Sequence, residues 1–109
     1  MRERRRYPRY DTALEVKYST KGNASIESYT VSKNVSRIGL RLPLTRLIKE
    51  GDILDLDIKT DAKNAPVSAL GKVVWTRTIN RPAPLELDAG IEFVKINPID
   101  AGRLVQPAY

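Results

Sequence analysis

The sequence predicts an all-β domain: a small barrel of six strands, preceded by a basic arm and followed by one short helix. Apolar residues recur at every second position through most of the chain, and the segments that alternate are separated by turn residues at regular intervals. With 109 residues, 41% of them hydrophobic, the chain can fill one core and not two. Regular half-buried strands on that scale point to a small barrel.

The elements follow in order. Leu14, Val16 and Tyr18 alternate with Ala13, Glu15 and Lys17 as a first strand. Tyr29, Val31, Lys33 and Val35 alternate with Ser28, Thr30, Ser32 and Asn34 as a second, and Leu40, Leu42 and Leu44 with Gly39, Arg41 and Pro43 as a third. Leu54, Leu56 and Ile58 against Asp55, Asp57 and Lys59 make a fourth, residues 67–78 a fifth and 90–96 a sixth. Lys21-Gly22-Asn23 is expected to close the first hairpin, Glu50-Gly51-Asp52 to open the fourth strand and Lys63-Asn64-Ala65-Pro66 to precede the fifth. Arg81-Pro82-Ala83-Pro84 reads as a loop, because two prolines cannot sit in a central strand. Asn97 is a good N-cap before Pro98 at the first helical position, Asp100 lies in the first turn, and Pro107 ends the helix. The boundaries are a flexible arm over residues 1–11 and the barrel over 12–109, with no internal repeat.

Composition removes most chemistry. No Cys means no disulfide and no thiol nucleophile, and no His removes the commonest general base and metal ligand, so neither an enzyme nor a metal site is expected. Glu50, Asp52, Asp55, Asp57 and Asp61 fall on one strand and its edges and read as a solvated face rather than an acid/base pair. No stretch approaches the ~18 apolar residues of a membrane span. The arginine-rich start lacks an apolar segment behind it, so the expected location is cytoplasmic. The net charge is +6, and Arg2, Arg4, Arg5, Arg6 and Arg9 against Glu3 place most of it in the first ten residues. Such an arm suits an anionic partner, whether phosphate, nucleic acid or lipid headgroup; a solubilising tail has the same composition. A nearly balanced body disfavours single-stranded nucleic acid.

Two segments stand out from an ordinary barrel. Arg5-Arg6-Tyr7-Pro8-Arg9 contains R-x-x-x-R, and Asn34-Val35-Ser36-Arg37-Ile38-Gly39 reads [D/N]-x-S-x-x-G. In that order, with Gly71-Lys72-Val73-Val74-Trp75 and Gly90-Ile91-Glu92-Phe93-Val94 behind them, the chain resembles the PilZ domain family over nearly its whole length. The resemblance implies a six-stranded antiparallel β-barrel with a C-terminal helix, acting as a bacterial receptor for the second messenger cyclic di-GMP. Arg5 and Arg9 match the paired arginines, and Asn34, Ser36 and Gly39 match the barrel motif. With Arg4, Arg6 and Arg37, which flank these positions, they form the expected ligand site. The short helix, broken by Pro107, departs from the family pattern. An arginine at position 4, just before R-x-x-x-R, goes in the family with two intercalated cyclic di-GMP molecules rather than one. A downstream protein partner is also expected. The competing reading is a PilZ-type adaptor for pilus or motility machinery without nucleotide binding, and retention of both motifs argues against it.

The residue types suit such a ligand on their own account. Arginine can fork a phosphate, take guanine O6 and N7, and lie flat on a purine, whereas lysine is a point charge. Asn34 and Ser36 share a parity opposite to Val31 and Val35, so both are expected to face outward from the barrel. Gly39 is expected to supply a positive φ or a close approach of ligand to backbone. Trp75 and Phe93 read as core, Arg41 as solvated, and Tyr7 and Tyr10 either stack on bases or staple the arm to the barrel.

Overall fold

The computed structural model describes residues 9–21, 27–44, 48–60, 65–80 and 86–105. It contains β1 (Glu15–Thr20), β2 (Ser28–Val31), β3 (Asn34–Val35), β4 (Gly39–Leu44), β5 (Ile53–Lys59), β6 (Val67–Asn80) and β7 (Glu86–Ile96), then α1 (Pro98–Val105). Every pairing is antiparallel, and the strands form one sheet in the order β2-β1-β5-β6-β7-β4-β3. That sheet is curled into a half-barrel of seven strands, not six.

The extra strand comes from dividing the expected second one. Residues 28–31 pair with β1, residues 34–35 pair with β4, and Ser32 and Lys33 join the two. Ser32 fixes the break: its N–H donates to Leu14 O (2.9 Å), its hydroxyl donates to Thr12 O (2.6 Å), and the Leu14 N–H donates to its Oγ (2.9 Å). A side chain that bonds neighbouring backbone offers the chain an alternative to the ladder. Across the gap between β2 and β4, the Thr30 hydroxyl donates to Pro43 O (2.6 Å). Pro43 has no N–H to give, so the ladder cannot zip shut at that rung. The break also corrects the expected face: Val35 is buried, whereas Tyr29 is 76% exposed and Val31 46%.

Elsewhere the alternation holds. Val16 and Tyr18, Leu42 and Leu44, Leu54, Leu56 and Ile58, and Val67 and Val73 are buried in one core with Ala89 and Ile91. Each fully buried large aliphatic side chain contributes about 1.5–3 kcal/mol relative to exposure. Phe93 is half-buried against this core, in line with expectation. Gly51 turns the chain into β5 with φ of 95°. The acid-rich strand is a polar outer face: Asp55 is exposed, and Asp57 pairs with Lys17 (3.3 Å) and accepts from Ser68 (2.8 Å). The helix starts as its cap predicts, with the Ile99 N–H donating to Asn97 Oδ1 (2.8 Å). It buries Ala101 and Leu104, and Arg103 ties it to Thr60 Oγ1 (3.1 Å) and Ala65 O (3.0 Å). Gly22 and Asn23, Asp61, residues 63–64, the 81–84 loop and Pro107 lie outside the described residues.

Trp75 departs from its predicted place for a local reason. A β-bulge shifts the register so that Val73 faces Ile91 while Trp75 faces Gly90. Without the bulge, Trp75 would share the inward parity of Val73. With it, Trp75 joins the outer side of the sheet with Gly90, which lies between the inward-facing Ala89 and Ile91.

Candidate functional site

The chain brings the described end of the arm against the barrel motif. Tyr10 forms an antiparallel bridge with Val35, each backbone N–H donating to the other residue's carbonyl at 2.9 Å. One residue earlier, Arg9 Nη1 donates to Asn34 Oδ1 (3.2 Å). Thus the second arginine of R-x-x-x-R and the first residue of N-x-S-x-x-G are in contact, 25 positions apart in sequence. Arg4, Arg5, Arg6 and Tyr7 lie outside the described residues.

The rest of the motif is a tight turn. The Ser36 N–H donates to Gly39 O (2.8 Å), its hydroxyl lies 3.4 Å from the same oxygen, and the Ile38 N–H donates to Ser36 Oγ (3.2 Å). Ser36 is only 2% exposed, so its side chain does not face outward as expected. The strand ends at Val35, and strict alternation ends with it. Gly39 is also corrected: among the described residues positive φ occurs at Gly51 and not at Gly39. A Cβ on Gly39 would stand 2.0 Å from Ile91 O, so the glycine is required where β4 lies close on β7. Arg37 is exposed, and its guanidinium extends over α1, with Nη2 3.5 Å from where a Cβ on Gly102 would be.

Beside this turn the outer face carries a row set by register: Asn34 opposite Arg41, Arg41 opposite Gly90, Gly90 opposite Trp75. A Cβ on Gly90 would come within 2.1 Å of the indole Nε1, so the ring lies across that glycine. Arg41 is not simply solvated. Its Nε donates to Asp88 Oδ2 (2.7 Å) and its Nη2 donates to the same oxygen. Arg77 Nη2 reaches Oδ2 at 3.3 Å, and Lys33 Nζ lies 3.5 Å from Oδ1. The Asp88 side chain is fully buried beneath these three cations. Burial pushes its carboxyl up, but the hydrogen bond from Arg41 and the charges of Lys33 and Arg41 outweigh that and hold it below the ordinary carboxylate value.

Sequence reading missed Asp88, Lys33 and the outward Trp75. A signal for Asp88 was present: Leu87, Ala89 and Ile91 keep the period of two, which extends the last strand back past Gly90 and places Asp88 on its outer side. Among the described residues, no group of three or more His, Cys, Asp or Glu is placed to hold a metal ion, and no helix is long and apolar enough to cross a membrane.

A model of the PilZ domain matches residues 3–107. No curated protein matches the chain. Among solved structures, the Bacillus subtilis inhibitor of motility MotI/DgrA is similar at 25% identity and a TM-score of 0.72, over 95% of this chain and 49% of that one. The chain therefore spans about half the length of that relative. The PilZ domain of YcgR from Escherichia coli with c-di-GMP is similar at 14% identity and a TM-score of 0.67, over 94% of this chain and 86% of that one. The K. pneumonia MrkH-c-di-GMP complex follows at 16% identity and a TM-score of 0.59, over 94% and 49%.

Proposed function

The chain belongs to the PilZ domain family, and from that premise we propose that it is a cytoplasmic receptor for cyclic di-GMP that works by binding, without catalysis. The observation that carries the reading is the Arg9–Asn34 hydrogen bond, which joins the arm to the barrel motif at the place where a ligand held by both would sit.

The arm supplies Arg4, Arg5, Arg6 and Arg9, and the barrel supplies Asn34, the Ser36–Gly39 turn and Arg37. Ordering a segment costs about 1–2 kcal/mol of backbone entropy per residue, so several charge-assisted contacts must form together for the arm to close over the ligand. The bridge from Tyr10 to Val35 reduces that cost by fixing where the arm leaves the sheet. Ser36 acts in this scheme through the turn it holds. Two cyclic di-GMP molecules per chain fit the arginine at position 4 and the cluster of arm charge.

Calorimetric titration with cyclic di-GMP tests the reading. Saturation at two equivalents is expected, with Arg9→Ala weakening binding by at least about 1–3 kcal/mol and Arg4→Leu shifting the ratio toward one. Absence of heat and of any thermal shift at high micromolar ligand overturns the receptor assignment.

A further inference from the structure

Arg41 occupies the centre of the outer row, between Asn34 and Gly90, and its side chain is 30% exposed. Asp88 takes both Nε–H and one Nη2–H through a single oxygen, which engages the side-on edge of the guanidinium. The end-on edge, Nη1 with the outer hydrogen of Nη2, takes part in neither bond. The restraint comes from a fully buried carboxylate, so a long side chain is fixed from below while its outer edge is left out of these bonds. Neither of the other cations on Asp88 is held this way: Arg77 is 65% exposed and touches Oδ2 through Nη2 alone, and Lys33 stands 3.5 Å from Oδ1.

A planar pair of donors in fixed orientation matches two acceptors in one plane. The Hoogsteen edge of guanine presents O6 and N7 in that way, whereas adenine places an N6 donor beside N7. A phosphate accepts donors from many directions and gains less from such fixing, and the arm already supplies further arginines for phosphates. The Trp75 indole lies across the next residue of the row, one strand spacing of about 4.8 Å beyond Arg41, and gives the base a flat neighbour.

We infer that Asp88 is a positioning residue that holds Arg41 so that its open edge reads O6 and N7 of a guanine, adding a rigid contact on the barrel to those made by the arm. The inference rests on the cyclic di-GMP reading above. Its test is titration of wild type, Arg41→Gln, Asp88→Asn and Arg77→Gln with cyclic di-GMP and with its bis-7-deaza analogue, which lacks the N7 acceptors. The analogue should bind wild type and Arg77→Gln about tenfold or more weakly than cyclic di-GMP, and this penalty should shrink at least about threefold in Arg41→Gln and Asp88→Asn. A merely structural Asp88 would lower affinity for both ligands and leave the penalty unchanged, and that result overturns the inference. Should Asp88→Asn not fold, Arg41→Gln decides the guanine contact. The positioning is then read from the Arg41 Nε–H proton by NMR of the free wild type: slow exchange supports it, and exchange as fast as at Arg77 overturns it. A wild type that binds no cyclic di-GMP brings down the receptor reading itself; one that binds with an unchanged penalty in Arg41→Gln brings down this inference alone.

Discussion

The two outer faces of the sheet solve the problem of charge in opposite ways. On β1, β2 and β5, two lysines meet three carboxylates at the surface: Lys17 pairs with Glu27 and Asp57, and Lys59 with Glu15. A groove of about 520 Å³ lies there, lined in part by Tyr29, Val31 and the Lys17–Asp57 and Lys59–Glu15 pairs. Around β4, β6 and β7, three cations, Lys33, Arg41 and Arg77, converge on one carboxylate, Asp88, and that carboxylate is buried. The first face pairs its charges one by one at the surface, and the second gathers three cations on a single buried carboxylate. Anion affinity follows a local excess of positive charge and not groove volume, so the proposed dinucleotide site belongs on the second face.

Three experiments test that contrast. The largest effect is expected from Gly39→Val. The new Cβ meets backbone rather than a movable side chain, so β4 and β7 must separate and the loss of stability should exceed the about 1–3 kcal/mol of ordinary overpacking. An unchanged midpoint in chemical denaturation would remove Gly39 from its assigned role. Next comes Asp88→Ala set against Asp57→Ala. The first leaves three partly exposed cations without their shared partner and should cost about 1–3 kcal/mol. The second removes a member of exposed pairs and should leave the denaturation midpoint where it was. Equal shifts from the two variants would erase the distinction between the faces.

The smallest effect is a pH dependence. Because the Asp88 carboxyl is held below its ordinary value in the folded protein, its contribution is complete above the unfolded-state value of about 4 and is lost as pH falls through the lower native one. Stability measured from pH 6 downward should therefore fall less steeply in Asp88→Asn than in wild type. Parallel curves would show that Asp88 carries no such linkage.

Most of the strand pattern was legible because burial on one face imposes a period of two, and Leu54-Asp55-Leu56-Asp57-Ile58 can hardly be read otherwise. What escaped were the places where pairing partners, rather than the strand itself, decide the geometry. The bulge that turns Trp75 outward exists only relative to β7, and the break at Ser32 exists because the same segment pairs first with β1 and then with β4. The site was half legible. Arg9 and Asn34 stand out from their motifs, and in the structure they are in contact. Periodicity points Ser36 outward although the strand ends at Val35, and nothing near Arg41 in sequence announces the carboxylate that claims it 47 residues further on. No local reading connects positions so far apart.

The divided strand also bears on how far the sheet edges of this molecule are open to copies of itself. An open sheet has two edges, and each unpaired edge can template another chain. Here both edges belong to one eight-residue stretch, four residues in β2 and two in β3, meeting at Ser32 and Lys33. Neither edge is long enough to offer a foreign strand more than a few rungs, and the bend between them prevents the two from acting as a single template. The half-barrel thereby gains much of the protection of a closed barrel while keeping the gap beside Pro43 unzipped.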